Sequence, residues 1–469
     1  MVEFATELQV SRTGIPGLVV VDLPVHGDAR GWFKENWQRA KMTALGVDDF
    51  RPVQNNISFN DAVGTTRGIH AEPWDKFVSV ATGRVFAAWV DLREGPTFGA
   101  TFTTVIDAAR AVFVPRGVGN SYQTLDPDTA YTYLVTDHWS PEAAYTFLNL
   151  ADETAAIDWP IALSEAEISA KDLNHPRLAD VTPMPPRRTL VLGANGQVGQ
   201  ALHAEWGDGP TIEYATRQDI DLADPGLATA RPWREYSVIV NAAAYTAVDD
   251  AETTEGRALA WDANATGVAR LAAIAAQNGI ILVHISSDYV FDGTAPGLYA
   301  EDATFSPLGV YGQSKAAGDI AAATAPRHYI VRASWVVGSG RNFVRTMAEL
   351  AGRGVAPRVV DDQRGRLTFA HDIAAAISHL LEVRAPFGTY NLSCEGAVMT
   401  WADVARVVFE TVGADPSLVR DTSTAEYFRD TSRVISPRPE NSGLDLRKIR
   451  ATGFTPVDGA VALRSYLQS

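Results

Sequence analysis

The sequence is short of cysteine, of positive charge and of long apolar runs, and each shortage excludes a class of protein. It has one cysteine in 469 residues, Cys394, so no internal disulfide can form and the reducing cytoplasm is the expected location. Asp and Glu outnumber Lys and Arg by 56 to 40, and the formal net charge of −16 argues against wrapping nucleic acid. No apolar run reaches about 18 residues and the first residues lack the pattern of a signal peptide, so no membrane partner is expected.

A strand, a glycine turn and a helix follow one another from Thr189. The apolar residues before Gly193 predict a buried strand, and Gly193, Gly196 and Gly199 fall at a spacing of three before a helical apolar period begins. This order suits a nucleotide pyrophosphate, because glycines permit the tight turn and close backbone approach while the helix N-terminus faces the anion. Such a unit normally opens its domain, so a separate domain is expected before it.

Residues 1–180 are predicted to form that separate domain, of the all-β class. Short β-rich runs alternate with turn formers, which favours a sandwich, a barrel or a jelly roll. The runs span 77–81, 85–90, 101–106, 111–114, 130–136 and 145–150. Helices are expected near 38–45 and over 164–172. Residues 181–188 contain three prolines in eight positions, which predicts an extended linker at the domain boundary.

Residues 189–469 are predicted to alternate strands and helices. Strands with apolar residues on both faces, joined by helices, indicate a doubly wound parallel α/β sheet. The predicted strands are 211–215, 237–241, 280–286, 328–333, 358–360 and 389–392. The predicted helices are 262–278, 311–323, 342–352 and 371–383.

Several polar side chains in the β half could take part in catalysis. Arg67 and His70 lie between apolar runs, Lys76 opens the next strand, and Tyr131 and Tyr133 point to one face. A histidine beside a tyrosine and a carboxylate inside a barrel suits proton removal next to a carbonyl. From residue types alone, a hydrogen-bonded core histidine with packing tyrosines is the commoner case, so both interpretations stay open at this point.

Motifs along the whole β half resemble the dTDP-4-dehydrorhamnose 3,5-epimerase family. The matching segments, in order, are 28–35, 54–58, 67–70, 90–99, 115–117, Tyr133, 157–160 and 171–172. The resemblance implies a cupin-like jelly roll that works as a dimer without metal. It implies that His70 removes protons next to the C4 ketone, that Asp172 orients His70, and that Tyr133 returns a proton on the opposite face. Lys76 and Arg67 would stabilise the enolate.

Three further positions concern the substrate of this half. The resemblance implies that Arg30 and Glu35 hold the nucleotide end of a dTDP-sugar. Asn120 is counted as a substrate contact, but the family usually has a histidine in this segment. Because an asparagine can donate a hydrogen bond but cannot ionise, inversion at both C3 and C5 is left open. The stretch from His70 to Lys76 is also shorter than is usual in the family.

The α/β half carries the signs of a nicotinamide cofactor. Arg217 follows the second strand, where an arginine suits the 2′-phosphate of NADPH and an acidic residue would suit NADH; Asp219 lies close by, and NADPH is favoured. Asp221 and Leu222 would flank the adenine. The expected cofactor contacts are Gly193, Asn195, Gly196, Gln197, Val198, Gly199, Arg217, Asp221, Leu222, Ala242, Ala243, Ala244, Tyr311 and Lys315.

A tyrosine, a lysine and a serine form the predicted catalytic set of this half. Tyr311 and Lys315 are four apart on a predicted helix and share one face. A nearby ammonium is expected to lower the pKa of the tyrosine, which can then exchange a proton with a carbonyl near neutral pH. Ser287 ends the preceding strand at its carboxyl edge, where ligands bind in such sheets, and its hydroxyl can polarise the same carbonyl.

Residues 189–469 resemble the extended short-chain dehydrogenase/reductase superfamily and, within it, the dTDP-4-dehydrorhamnose reductases. The motifs lie at 193–199, 241–249, 286–293, 311–315, 332–335, 361–365 and 438–442. The resemblance implies a Rossmann fold with a small substrate subdomain and catalysis by the serine, tyrosine and lysine just named. It puts Trp335 at the sugar and Arg438 and Asn441 at the nucleotide end. Some relatives use Mg²⁺ at a dimer interface, and no ligand cluster in this sequence requires it.

Together these features predict a bifunctional homodimeric enzyme of dTDP-L-rhamnose biosynthesis. The first half would invert C5 and C3 of dTDP-4-dehydro-6-deoxy-D-glucose, and the second would transfer hydride from NADPH or NADH to the C4 ketone. Two alternatives remain. The β half could bind without catalysing, beside an active reductase, or the pair could invert one centre and make another dTDP-6-deoxyhexose.

Overall fold

A computed structural model describes residues 7–140 and 143–468 and divides the chain into two compact units. The first unit ends at Pro186 and the second begins at Arg187. Within the described ranges, no helix combines the length and the apolar character that crossing a bilayer would require.

The first unit consists mainly of antiparallel strands. Its strands are β1 (Gln9–Arg12), β2 (Val19–Asp22), β3 (Val25–Asp28), β4 (Gly31–Lys34), β5 (Gln54–Asn60), β6 (Thr65–Ala71), β7 (Lys76–Thr82), β8 (Val85–Asp91), β9 (Thr101–Ile106), β10 (Arg110–Val114), β11 (Val118–Thr124), β12 (Thr129–Val135), β13 (Thr146–Leu148) and β14 (Glu167–Ile168). Its helices are α1 (Arg39–Ala44) and α2 (Ala170–Leu173).

Twelve of these strands form two facing sheets, as predicted for a jelly roll, while β3 and β4 pair only with each other. One sheet has the order β1-β2-β10-β7-β12-β5, and the other has the order β13-β6-β11-β8-β9 with β14 beside β6. Val78 and Val112 of the first sheet and Trp89 of the second belong to one buried cluster, which fills the space between the sheets. Strands β6, β7, β11 and β12 carry the polar residues of interest.

The second unit alternates strands and helices. Its strands are β15 (Arg188–Leu192), β16 (Ile212–Ala215), β17 (Tyr236–Asn241), β18 (Ile281–Ser287), β19 (His328–Ala333), β20 (Val336–Val337), β21 (Arg358–Val360), β22 (Arg364–Gly365), β23 (Thr368–Phe369), β24 (Gly388–Leu392), β25 (Met399–Thr400) and β26 (Arg420–Thr422). Its helices are α3 (Gln197–Trp206), α4 (Thr254–Trp261), α5 (Gly267–Asn278), α6 (Val310–Ala322), α7 (Phe343–Gly352), α8 (Ala370–Glu382), α9 (Trp401–Thr411), α10 (Thr424–Tyr427), α11 (Arg447–Ala451) and α12 (Gly459–Gln468).

A parallel sheet of order β16-β15-β17-β18-β19-β24 forms the centre of this unit and confirms the predicted fold class. The strand order reverses between β15 and β17, and ligands of such sheets bind at the carboxyl ends of the strands at this point. A further cluster of buried residues packs α7, α9 and α12 together and forms the core of a smaller subdomain.

Three elements differ from the sequence-based expectation. Strand β21 pairs with β26 in a small separate sheet rather than joining the parallel one. The helix expected over 164–172 is limited to α2, because β14 pairs with β6 just before it. The expected linker packs onto the first unit at Met184, which is buried and whose backbone bonds Leu92 and Glu94.

Candidate active sites

A histidine–carboxylate pair lies on the second sheet of the first unit. His70 of β6 has its Nε2 2.8 Å from Oδ1 of Asp172, although 102 positions separate the two residues in the chain. Ser169 caps α2 by accepting from the Asp172 backbone N–H, which fixes where the carboxylate points. Gly68 lies beneath the pair, where an added Cβ would be 2.4 Å from Asp172 Oδ1. The pair therefore depends on glycine in the Arg-Gly-Ile-His motif.

The Asp172 carboxylate is held in its ionised form. Burial alone would raise its pKa, but hydrogen bonds from His70, Ser169 and the Gly68 backbone, together with the charge of His70, lower the pKa to about 2. An ionised carboxylate orients the imidazole and stabilises the imidazolium that forms when the ring takes up a proton. His70 is the more exposed member of the pair, at 34% of its side chain against 8% for Asp172. The pair can thus act as a general base toward a ligand.

A second histidine, His175, lies near the same carboxylate oxygen as His70, and the two rings are 5.2 Å apart. Its Nε2 is 3.9 Å from Asp172 Oδ1, and its ring stacks on Phe147, which also contacts His70 edge-on. Burial and the charge of His70 lower the pKa of His175, so it is uncharged at neutral pH. The sequence analysis missed this residue, although its position three residues after Asp172 could have indicated it.

Lys76 and Tyr133 lie side by side on β7 and β12. The Lys76 ammonium is 5.7 Å from the centre of the Tyr133 ring and 2.5 Å from the Glu72 carboxylate. Burial lowers the pKa of Lys76 to about 7, whereas the neighbouring Glu72 carboxylate favours the charged form. Burial also raises the pKa of Tyr133, which therefore keeps its proton at neutral pH. Glu72 was not singled out from the sequence.

Asn120 is directly opposite His70 in the pairing of β11 with β6. Its Oδ1 accepts a hydrogen bond from the hydroxyl of Tyr131 at 3.1 Å. Arg67 of β6 donates at 3.1 Å to Ser58, which lies on β5 of the facing sheet. The amide of Asn120 is thus held by a tyrosine that the sequence analysis put on the same face as Tyr133.

The two residues expected at the nucleotide end take part in exposed ion pairs of their own region. Arg30 lies at the tip of the β3–β4 hairpin, is 90% exposed and pairs with Asp28. Glu35 pairs with Lys41 of α1. These ion pairs do not test whether Arg30 and Glu35 bind the nucleotide end of the substrate, so that role stays a prediction.

In the second unit, the glycine turn and the end of β17 enclose a cavity of about 330 Å³. The turn lies so close to the neighbouring loop that a Cβ on Gly193 would be 2.7 Å from the Ala243 nitrogen, and one on Gly199 would be 2.3 Å from the Gly193 oxygen. The predicted contacts that line this cavity are Gly193, Asn195, Gly196, Arg217, Asp221, Leu222, Ala242, Ala243 and Ala244. The remaining turn residues, Gln197, Val198 and Gly199, form the first turn of α3. A cradle that excludes side chains fits a dinucleotide.

Arg217 and Asp219 differ in how far other residues of the protein occupy their charged groups. Asp219 accepts hydrogen bonds from the backbone and hydroxyl of Thr216, at 2.8 and 2.7 Å, so its carboxylate closes the turn after β16. The Arg217 side chain is 74% exposed at the cavity and lies 3.5 Å from Asp221. The charge exposed at the cavity is therefore the positive one.

Ser287, Tyr311 and Lys315 come together where β18 ends and α6 begins. The Ser287 hydroxyl donates to Asp288 at 3.0 Å and is also within reach of the Tyr311 hydroxyl. Lys315 donates to the Ile285 carbonyl at 2.7 Å, which anchors its ammonium under β18. All of these residues except Ile285 are at most 9% exposed. The predicted set is assembled, with Asp288 as an additional acidic member.

The protonation of this set differs from the expectation. Burial and the Asp288 charge raise the pKa of Tyr311, although Lys315 is one helical turn away. Burial also lowers the pKa of Lys315 to about 8 and raises that of Asp288 to about 6. The expected lowering of the Tyr311 pKa is therefore wrong for the protein alone, because desolvation outweighs the nearby ammonium.

The three residues predicted to contact the sugar and the nucleotide end each make a different kind of interaction. Trp335 has a positive φ of 46° and stacks on Trp401 with ring centres 3.7 Å apart. Arg438 pairs with Asp249 at 2.9 Å. Asn441 donates to the carbonyls of residues 295 and 297 and accepts from the backbone of residue 443, so its amide holds a loop in place.

Comparisons with known proteins agree with this division of the chain. Residues 12–180 match the family model described as dTDP-4-dehydrorhamnose 3,5-epimerase, and residues 187–469 match that described as RmlD substrate binding domain. A protein RmlC homolog of Streptococcus pyogenes serotype M6 is 51% identical over 180 residues, which span 37% of this chain and 90% of that protein. A dTDP-4-dehydrorhamnose reductase of Mycobacterium tuberculosis is 38% identical over 278 residues, which span 58% of this chain and 88% of that protein.

A solved structure extends the comparison to a cofactor. The dTDP-4-dehydrorhamnose reductase of Bacillus anthracis str. Ames, crystallised in complex with NADP, is 29% identical. It superposes with a TM-score of 0.53 and covers 60% of this chain and 99% of its own.

Proposed function

Because the chain belongs to the dTDP-4-dehydrorhamnose 3,5-epimerase family over residues 12–180 and to the RmlD family over residues 187–469, we propose that it carries out two consecutive steps of dTDP-L-rhamnose synthesis. The first unit epimerises dTDP-4-dehydro-6-deoxy-D-glucose at C5 and C3. The second unit reduces the C4 ketone with a nicotinamide cofactor. The same ketone serves both steps, since it acidifies the neighbouring C–H bonds and later accepts hydride.

One observation carries the proposal: each unit holds the acid–base groups that its own step needs. His70 and Asp172 are 2.8 Å apart in the first unit, which supports proton removal next to a ketone. Ser287 and Tyr311 meet at the end of β18 in the second, which supports proton delivery to a carbonyl oxygen.

In the proposed epimerisation, His70 takes the proton from the carbon and Asp172 stabilises the resulting imidazolium. Lys76 and Arg67 supply positive charge for the enolate oxygen. Tyr133 returns a proton from the opposite face, and its raised pKa supports this role because the hydroxyl stays protonated until the carbanion needs it.

In the proposed reduction, the glycine turn and the loop after β17 hold the cofactor, which supplies the hydride when bound. Ser287 donates a hydrogen bond to the ketone oxygen. Tyr311, kept protonated by its raised pKa, gives its proton to that oxygen as charge develops there. Lys315, anchored on the Ile285 carbonyl, favours the phenolate that remains.

We further propose that NADPH is preferred over NADH. Arg217 is exposed at the cavity, and Asp219, the residue that could otherwise bind a ribose hydroxyl, is engaged by Thr216. The cytoplasm suits a chain whose single thiol, that of Cys394, is buried and unpaired.

A homodimer is proposed through the first unit. β5 is the edge strand of its sheet, and it exposes Ile57 and Phe59 at 67% and 58%. An exposed apolar edge strand is a template for pairing with a second copy. Size-exclusion chromatography with light scattering should give twice the chain mass, and Ile57→Lys should shift the protein toward monomer.

The experiment that tests the bifunctional proposal uses dTDP-4-dehydro-6-deoxy-D-glucose, NADPH and the protein in D₂O. NMR should find a rhamnose product with deuterium at C3 and C5. Deuterium at one carbon would support a single-centre epimerase, a second candidate favoured by Asn120 opposite His70. A reduced but unlabelled sugar would make the first unit a binding domain.

A further inference from the structure

The surroundings of Asp172 contain more metal-ligating chemistry than proton removal requires. Within 7–140 and 143–468, one group of at least three His, Cys, Asp or Glu side chains has the spacing of an ion site, and it consists of His70, Asp172 and His175. Their ligand atoms all lie within 4.8 Å of one another. The proposed base and its carboxylate account for His70 and Asp172, but they give no role to His175.

His175 is the unusual member. It is 9% exposed, and neither of its ring nitrogens makes a well-formed hydrogen bond in the described part of the chain, although the Leu148 backbone lies near the ring. A buried imidazole without a hydrogen bond loses the solvation of its polar atoms, so such a group calls for an explanation. Its Nε2 lies 3.9 Å from Asp172 Oδ1, the oxygen that His70 also contacts, and the two imidazole rings are 5.2 Å apart.

From this arrangement we propose that His70, Asp172 and His175 bind a divalent transition-metal ion such as Zn²⁺, and that the bound ion switches off the first active site. Two imidazoles and one carboxylate favour zinc and its neighbours over Mg²⁺ or Ca²⁺, which require oxygen ligands. Tetrahedral zinc with bonds of about 2.1 Å separates its ligand atoms by roughly 3.4 Å, so the present spacing requires small side-chain shifts. His70 is the most exposed of the three residues, at 34% of its side chain against 8% for Asp172 and 6% for His175.

Inhibition of the first active site is expected because His70 would be both the proposed general base and a ligand of the ion. This inference rests on the proposed epimerase function. His70 faces Asp172 with Nε2, which would bind the ion, and a neutral imidazole bound through Nε2 keeps its proton on Nδ1, so neither nitrogen could accept a proton from a carbon atom. The ion needs no redox change, and any proton displaced from an imidazole leaves to solvent. The second unit contributes no ligand, so its reduction step should continue.

Calorimetric titration of the full chain with Zn²⁺, after treatment with a chelator, tests binding without reference to activity. One ion per chain is expected for the unmodified protein. His175→Phe preserves the stacking on Phe147 but removes the nitrogen ligand, and it should weaken binding at least tenfold. His203→Gln is the matched control, because His203 also lies 2.8 Å from a carboxylate, Asp208, but has no third ligand; it should bind Zn²⁺ like the unmodified protein.

Deuterium exchange into the dTDP-sugar, measured with and without Zn²⁺, tests inhibition. Exchange should stop in the unmodified protein, persist in His175→Phe and recover on adding chelator. Equal Zn²⁺ binding by His175→Phe, or no saturable binding by the unmodified protein, would overturn the site. If His175→Phe does not fold, loss of Zn²⁺ binding in Asp172→Asn provides the same test. Zn²⁺ binding without any exchange activity would instead contradict the proposed epimerase and leave the site standing.

Discussion

Gly68→Ala is the perturbation that isolates the His70–Asp172 pair most cleanly. The added Cβ would lie 2.4 Å from Asp172 Oδ1 and 2.9 Å from His70 Nε2, whereas ordinary Cβ contacts begin at 3.4 Å. The carboxylate must therefore retreat by about 1 Å, and a misplacement of that size costs about 100-fold in rate when it affects a catalytic group. Gly68 has no positive φ, so the backbone itself accepts alanine.

The assay should follow the two units separately. Deuterium uptake by dTDP-4-dehydro-6-deoxy-D-glucose reports the first unit, and oxidation of NADPH with already epimerised ketone reports the second. Gly68→Ala should slow deuterium uptake about 100-fold and leave NADPH oxidation unchanged. Gly14→Ala is the matched control, because an added Cβ there meets nothing within 4 Å and should change neither rate. Deuterium uptake close to that of the unmodified protein in Gly68→Ala would refute the argument that the pair needs this clearance.

Three further predictions concern single side chains. Lys76→Met should slow deuterium uptake by about 10²–10³, since one enolate-stabilising charge is lost. Because the pKa of Lys76 is lowered to about 7, the rate of the unmodified protein should fall as the ammonium deprotonates above pH 7, and the Lys76→Met profile should lack that limb. Arg217→Ala should raise the KM for NADPH about tenfold or more and leave that for NADH unchanged, since a charge-assisted contact to phosphate is lost; steady-state kinetics with each cofactor test this. Tyr311→Phe should reduce NADPH oxidation by about 10²–10⁴ through loss of the proton donor, while NMR finds deuterium uptake intact; a parallel loss of uptake would mean that the units are not independent.

The sequence was most informative where strands are apolar on both faces. The prediction for β19 matches residue for residue, β17 begins one residue earlier than predicted, and β18 is shifted by one residue at both ends. The agreement is close because Val and Ile runs mark buried parallel strands. Strands β6 and β11 were missed because polar residues occupy their buried positions. Ser121 and Gln123 of β11 are fully buried, and their hydrogen bonds to Arg67 and Thr66 satisfy them. Only the folded sheet reveals those partners.

At the two candidate active sites, too, the sequence identified residues but not the surroundings that the fold gives them. The family resemblance implied that Asp172 orients His70, and helical spacing put Tyr311 and Lys315 on one face. The protonation of Tyr311 could not be predicted, because the spacing to Lys315 is visible in the sequence while the desolvation that outweighs it is not. His175 gains its position from the stack on Phe147 of β13, a contact between distant segments.

The late arrival of Asp172 determines when the first site becomes competent during synthesis. The strand that carries His70 is made early, yet its carboxylate partner comes on α2, near the end of the unit, and the tail through Met184 must still pack against Leu92. The ribosome then has about 280 residues left to add, which at about 5–20 residues per second takes tens of seconds. A nascent chain should therefore bear a finished proton-transfer site while its hydride-transfer site does not yet exist, and any cut that separates the two must fall after Pro186.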